Sequence, residues 1–392
     1  MIKKRVCTRR SQFDSSIAFV FGTRPEAIKL APVILRARAE RQRTIVISTG
    51  QQADLVRPAL ATFDLTPDHD LNVMRAGQPL SDLTARCLSR VGAILRDLRP
   101  AIVVVQGDTA SALAGAMAAF FERIPAAHVE AGLRTGDLAA PFPEEANRQV
   151  ISRLARLHFA PTVDAKANLL GEGIDPESIE VTGNTVVDAL RHLGTRIRRT
   201  PPPVSVPPGR KLVLVTAHRR ENLGPPLENI CSAVRKLAAR QAELHFVFIT
   251  HPNPVAARTA HMRLANRPNI TLLPPLAYIE MLRLVSDSWL ILTDSGGLQE
   301  EAPSFRRPVL VLRDRTERTE GVASGDARVV GTRAERIVDT VVTLLHSPDD
   351  FAQRVPAENP YGDGLASERI VRSIRLFVKR VGRNCELASE AA

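Results

Sequence analysis

The stretch LTDSGGLQEEAP (292–303) sets Asp294, Ser295, Gly296 and Gly297 directly after an apolar run and before a helix-forming one. Two chemistries use such residues. Asp-Ser-Gly-Gly surrounds the nucleophilic serine of one class of hydrolases. A serine and two glycines opening a helix also offer bare backbone N–H groups to a phosphate. The hydrolase reading calls for a disulfide-bonded β-barrel, or for the G-x-S-x-G elbow of lipases, and the sequence shows neither. Ser295, Gly296 and Gly297 therefore read as an anion cradle, with a capped helix that binds nothing as the bland alternative.

Other residues of chemical use also stand just after apolar runs. His218 follows KLVLVT in the segment AHRREN, beside Arg219 and Arg220, where it would face an anion. Asp108 follows AIVVVQ, Glu130 follows AAHV, and Glu144 and Glu145 lie in the loop after that. Carboxylates gathered at one sheet edge suit proton transfer, which needs groups whose ionisation the surroundings can tune. G-x-G-x-x-G after a strand, G-x-x-x-x-G-K-[ST] and H-E-x-x-H are all missing, so no dinucleotide cofactor, no P-loop nucleotide hydrolysis and no metal are expected.

The elements that must position these groups alternate between strand and helix. IAFVF (17–21), TIVIS (44–48), AIVVVQ (101–106), KLVLVT (211–216), HFVFIT (245–250), WLILT (289–293) and PVLVL (308–312) are continuous apolar runs. Such runs fit parallel strands covered by helices on both faces. Amphipathic stretches at 81–98 and 226–241 lie between them, so the fold class is α/β, doubly wound. The proline-rich TRIRRTPPPVSVPPGR reads as a linker at 195–210. It divides a Rossmann-like domain at 17–194, holding the carboxylates, from a second at 211–366, with the two facing a cleft. A basic tail (1–16) precedes them, and a C-terminal helix and tail (367–392) follow. Ligands of such sheets sit at the carboxyl ends of the strands, where the residues above cluster.

The totals narrow the partners. A formal charge of +11 calls for an anionic partner. One tryptophan and two tyrosines leave little to stack on bases, and no Lys/Arg run stands out beyond the tail and RIRR (196–199), so a small phosphorylated ligand is favoured over nucleic acid. Four widely spaced cysteines without CxxC pairing fit a reducing cytoplasm. No apolar run reaches membrane-spanning length.

Taken together, FGTRPEAIK, GDT, HVEAGLRTG, PFPEE, NRQ, HFAPT, VTGNT, LVTAHRREN, LTDSGGLQEEAPS, VLRD and NPYGDG resemble the non-hydrolysing UDP-N-acetylglucosamine 2-epimerases, in order from residue 21 to 364. The resemblance implies two Rossmann-like domains in the GT-B arrangement, a homodimer and no cofactor. It implies inversion at C2 of UDP-GlcNAc to UDP-ManNAc, by elimination of UDP to 2-acetamidoglucal and re-addition, supplying sugars for cell-surface polysaccharide. Carried over by position, Asp108, Glu130 and Glu144 resemble the acid–base carboxylates, and His218 the histidine beside the diphosphate. Arg24 and Lys29 match active-site and nucleotide contacts. Ser295, Gly296 and Gly297 match the diphosphate cradle, Glu301 the ribose contact, and Arg318 a further nucleotide contact.

The sequence departs from the family in places. Many bacterial members have a Gln-His-Arg run that binds a second, activating UDP-GlcNAc; here it is Gln51, Gln52 and Ala53. Thr319 replaces a usual proline, and Leu276 and Met281 stand where some members have glutamine and phenylalanine against the uracil. A GT-B glycosyltransferase, a hydrolysing epimerase and an epimerase of a modified UDP-HexNAc stay open beside the main reading.

Overall fold

Continuous apolar runs become strands here because both faces of each sheet are covered. The structure, a computed structural model, describes residues 16–251 and 253–390, and its account of side chains does not extend to Arg220 or 381–390. The basic tail thus lies, but for Ser16, outside the described residues. Contacts divide the chain into two compact units: residues up to Asp188 together with those from Gly364 onward, and Ala189–Asp363.

In the first unit β1 (Ile17–Phe21), β2 (Thr44–Ser48), β3 (His69–Asp70), β4 (Ile102–Gln106), β5 (Ala126–Val129), β6 (Leu157–Ala160) and β7 (Ile179–Val181) form one sheet. Their order is β3-β2-β1-β4-β5-β6-β7, all neighbours parallel. In the second unit β8 (Lys211–Thr216), β9 (Leu244–Ile249), β10 (Ile270–Leu273), β11 (Leu290–Thr293), β12 (Val309–Val311) and β13 (Ala327–Val329) pair in parallel in the order β10-β9-β8-β11-β12-β13. Both are doubly wound. Strand order reverses beside β1 and β4 in one sheet and beside β8 and β11 in the other, and ligands bind at such switch points.

The helices seal these sheets. Ala18, Val20, Val103 and Val105 pack with Ala112, Ala116 and Ala119 of the helix Ala110–Phe121, whose many alanines let it sit close to the strands. Val213, Val215, Phe246 and Phe248 do the same with Ile230, Val234 and Leu237 of the helix Pro225–Arg240.

Two boundaries differ from the sequence reading. The helix Thr185–Arg199 continues through the first five positions of the expected linker, because VVDALRHLGTRI keeps a helical apolar period up to the basic end. The proline-rich remainder, 200–210, carries no helix or strand. The C-terminal helix Ala366–Glu390 joins the first unit, where it packs on the helix Arg24–Ala39. Its start is capped by buried Asp188, which accepts from Ala366 N at 3.2 Å and Ser367 N at 2.8 Å. Among the described residues no helix is long and apolar enough to cross a membrane.

Candidate active site

Thr23 and Glu26 form a capping box at the start of the helix Arg24–Ala39, the expected outcome of T-x-x-E before an apolar run. Glu26 does more than cap. Its Oε2 accepts from Gly22 N (2.9 Å) and Thr23 N (2.7 Å), while Oε1 accepts from Thr109 Oγ1 (2.6 Å). One buried carboxyl thereby ties the loop after β1 to the loop after β4, which carries Asp108. Burial pushes its pKa up to about 7, against hydrogen bonds from Thr109, Gly22 and Thr23 that pull it down. Gly22 is required at this closure: a Cβ there would lie 2.1 Å from Ser111 Oγ and 2.2 Å from Thr49 Oγ1.

Asp108 is gripped by Arg148, with Nε 2.8 Å and Nη2 2.7 Å from Oδ2, and Asn147 Nδ2 donates to its backbone carbonyl at 2.7 Å. Arg148 also meets buried Glu145 at 3.2 Å. Burial raises the pKa of Glu145, but the Thr135 N–H, Gln149, Arg148 and Arg134 outweigh it, leaving a carboxylate below the usual range. The peptide before Asp108 is held as well. Buried His128 donates from Nε2 to Gly107 O at 2.8 Å, and burial lowers its pKa to about 3, so the ring is neutral at ordinary pH.

Glu130 and Lys29 form a buried ion pair, each side chain 8% exposed. Asn184 Nδ2 lies 3.4 Å from the same carboxylate. Glu130 has φ of 65° without being glycine, a left-handed conformation costing about 1–3 kcal/mol that its packing must offset. Glu144 heads the helix Glu144–Leu154, partly exposed, next to Glu145. Arg24 heads its own helix with an exposed side chain, its N–H donating to Gln52 Oε1 at 3.3 Å. The structure thus joins Lys29 to Glu130 and Asp108 to Arg148, and gives Glu144 and Arg24 accessible positions at helix starts.

In the second unit Ser295 caps the short helix Gly296–Glu301, its Oγ accepting from Leu298 N at 3.4 Å. Buried Asp294 beside it accepts at Oδ2 from His218 N (2.9 Å), Arg219 N (2.8 Å) and Asn222 Nδ2 (2.9 Å). The loops after β8 and β11 are stitched together by this one carboxylate. Arg318 lies over Gly296: a Cβ there would be 3.0 Å from its Cζ, so the glycine admits the guanidinium. That guanidinium reaches Glu300 at 2.9 Å and Glu317 at 2.8 Å. Glu317 also meets Arg219 at 3.2 Å and Arg313 at 2.8 Å. Glu301 is buried and accepts from Tyr278 Oη at 3.0 Å.

Sequence reasoning passed over Glu26, Arg148, Asp294 and Glu317. The T-x-x-E spacing was a signal for Glu26, although it specifies a cap and not a bond to Thr109. Arg148, in NRQ, and Glu317, in ERTEG, carry no local sign of partners so far along the chain. Gln51, the kept residue of the Gln-His-Arg run, accepts from Ser111 Oγ at 2.7 Å; of the departures, Thr319 opens the helix Thr319–Ala323, and Leu276 and Met281 pack on the core of the second unit.

These features define a class: a protein of two Rossmann-like α/β domains, each with charged groups at the switch point of its sheet. The family described as UDP-N-acetylglucosamine 2-epimerase matches residues 35–375, and the chain belongs to that family. It is 44% identical over 365 residues to the UDP-N-acetylglucosamine 2-epimerase of Yersinia pestis, covering 91% of this chain and 97% of that one. The Bacillus subtilis enzyme of the same name is 45% identical over 356 residues, covering 91% and 93%. The crystal structure of UDP-GlcNAc 2-epimerase from Neisseria meningitidis bound to UDP-GlcNAc matches with a TM-score of 0.85 and 41% identity, covering 92% of this chain and 99% of that one.

Proposed function

We propose that this protein inverts C2 of UDP-GlcNAc, giving UDP-ManNAc, without hydrolysis and without a redox cofactor. The observation that carries the reading is the family match over residues 35–375. The charge types at the two switch points agree with the chemistry it requires.

The C2 hydrogen has no carbonyl beside it on the ring, so removing it alone would leave an unstabilised carbanion. Elimination avoids this. A carboxylate takes the C2 proton as the C1–O bond to the β-phosphate breaks and its electron pair leaves with UDP, forming the C1=C2 bond of 2-acetamidoglucal. In the return step a β-phosphate oxygen bonds C1 while a proton is delivered to C2 from the opposite face. Asp108, Glu130 and Glu144 are the proton-handling groups in this reading. Arg148 fixes the direction of Asp108, and Lys29 that of Glu130. His218, Ser295, Gly296, Gly297 and Arg318 take up charge on the departing diphosphate, where preorganised donors are most effective. Glu301 holds the ribose, and Arg24 supplies a further cation.

The reading extends to a homodimer in the cytoplasm supplying ManNAc-type sugars for polysaccharide. The free, buried thiols of Cys87 and Cys231 suit a reducing compartment.

Proton NMR of the purified enzyme with UDP-GlcNAc in heavy water, with no cofactor added, tests the reaction. The expected result is UDP-ManNAc with deuterium at C2. Free ManNAc with UDP would replace this reading by the hydrolysing one, and absence of turnover on a UDP-HexNAc would remove it.

A further inference from the structure

We propose that Asp294 is the positioning residue for His218: it holds the imidazole in the Nδ1–H tautomer and turns Nε2 outward to serve the leaving phosphate. The kinetic part of this inference rests on the function proposed above; the structural part does not.

Asp294 is fully buried. Its Oδ2 is saturated by three neutral N–H donors: the peptides of His218 and Arg219 and the side-chain amide of Asn222. Asn222 is itself fixed, since its Nδ2 also reaches Leu312 O at 3.1 Å. With Oδ2 anchored three times, Oδ1 has one direction. It has no well-aligned hydrogen bond, and His218 Nδ1 stands 3.2 Å from it. A buried carboxylate oxygen without a donor is costly, and a small turn of the imidazole brings Nδ1–H onto it.

The peptide of His218 is clamped at both its N–H and its carbonyl, so this turn belongs to the ring. His218 N donates to Asp294, and His218 O accepts from His251 Nε2 at 3.0 Å. His251 Nδ1 accepts from Asn253 N at 2.8 Å, which leaves its proton on Nε2 as the donor. The His218 side chain is 47% exposed, so the edge of the ring away from Asp294 is accessible. The following residue, Ser295, caps the helix Gly296–Glu301, so one dipeptide orients both the histidine and the cradle.

The chemical consequence concerns the proton. A carboxylate behind Nδ1–H stabilises the imidazolium, and Nε2–H is then the donor presented to a departing phosphate oxygen. When Nε2 is deprotonated it accepts the proton back as the oxygen re-attacks. Asp294 touches neither fragment; it acts through His218.

The test is spectroscopic first. Long-range proton–nitrogen spectra of the full-length protein carrying nitrogen-15 histidine, at about pH 8.5 where an ordinary imidazole is neutral, read the tautomer. Loss of one signal set in His218→Gln identifies His218. The wild type is expected to show Nδ1–H. In Asp294→Asn the amide oxygen keeps the three donors and the NH2 faces Nδ1, so the proton is expected on Nε2. Turnover of UDP-GlcNAc should then fall about 10²–10⁴-fold, as wrong-tautomer variants of a His–Asp pair do, with little change in KM.

An Nε2–H tautomer in the wild type, or the same tautomer in both proteins, overturns the proposal. If Asp294→Asn does not fold, the wild-type spectrum still decides. Asn222→Ala, which removes one donor from Oδ2 and leaves Oδ1 in place, is expected to keep Nδ1–H; a flip there also overturns it. A tautomer that switches as expected in a protein that leaves UDP-GlcNAc untouched sustains the role of Asp294 and overturns the epimerase reading instead.

Discussion

Glu26 in the first unit is buried and Glu317 in the second is partly so, yet their ionisation is pushed in opposite directions. Burial lifts Glu26 to about 7, outweighing the hydrogen bonds from Thr109, Gly22 and Thr23 that oppose it. Burial acts on Glu317 too, but the guanidiniums of Arg318, Arg219 and Arg313 outweigh it and hold the carboxyl well below its usual range. The two sheets share the order of their first strands, so fold alone does not make this difference. The side chains placed on the loops do. In the first unit burial decides the protonation of Glu26, and in the second an array of arginines decides that of Glu317. That division suits a reaction in which one part moves a proton and the other holds a diphosphate.

The comparison breaks most readily at the carboxylates. Asp108→Asn and Glu130→Gln are each expected to lower kcat about 10²–10⁴-fold, the usual contribution of a general acid or base, with UDP affinity nearly unchanged. Steady-state turnover together with calorimetric titration of UDP checks both halves. Normal turnover in both variants would remove the division of labour from the first unit.

Lys29→Met should act on stability instead. It strands Glu130 as a buried charge without its ion-pair partner, and losing one member of such a pair costs about 3–5 kcal/mol. Urea unfolding monitored by circular dichroism reads this, and a change within experimental scatter would mean that the pair is open to water.

On the second unit, Arg318→Ala is expected to weaken UDP binding about 10–100-fold, equivalent to charge-assisted hydrogen bonds of about 1.5–3 kcal/mol. Unchanged affinity would show that Arg318 serves only Glu300 and Glu317.

The smallest effect sharpens the contrast between the two glutamates. Glu26 has a folded pKa of about 7 against an ordinary value of 4.5, so the folded state binds more protons between those pH values. Its stabilisation is therefore complete below the lower value and is lost as pH rises through about 7. Glu26→Gln cannot ionise and keeps an oxygen for the Gly22 and Thr23 N–H groups. The stability of the variant relative to wild type should rise by about 2–3 kcal/mol from pH 4.5 to pH 8, measured by urea unfolding at each pH. A difference that does not vary with pH would mean that Glu26 titrates as an ordinary carboxyl.

Much of the fold was legible because central parallel strands are buried on both faces and so read as unbroken apolar runs. IAFVF, TIVIS and KLVLVT coincide with β1, β2 and β8. The strands passed over are mostly edges: β3, β7, β10 and β13 close the two sheets, and three of them have only two or three residues. An edge strand in contact with water on one side needs no such run. The internal β6, LHFA, was also passed over; it buries a histidine, His158, whose polarity is answered by Ser152 O at 2.9 Å.

The sequence by itself determined the alternation of elements, the positions of Asp108, Glu130, His218 and Ser295 just beyond strand ends, and the family. These follow from local pattern: apolar runs, caps, glycines and short motifs in a fixed order. Only the tertiary structure decided the partnerships. Lys29 meets Glu130 across 101 residues of chain, Glu26 meets Thr109 across 83, and His218 meets Asp294 across 76. Such pairs arise when parallel strands bring the loops that follow them to one edge of a sheet. Whether a buried carboxyl then finds an arginine, an amide or an imidazole depends on that closure in space, which no local pattern along the chain encodes.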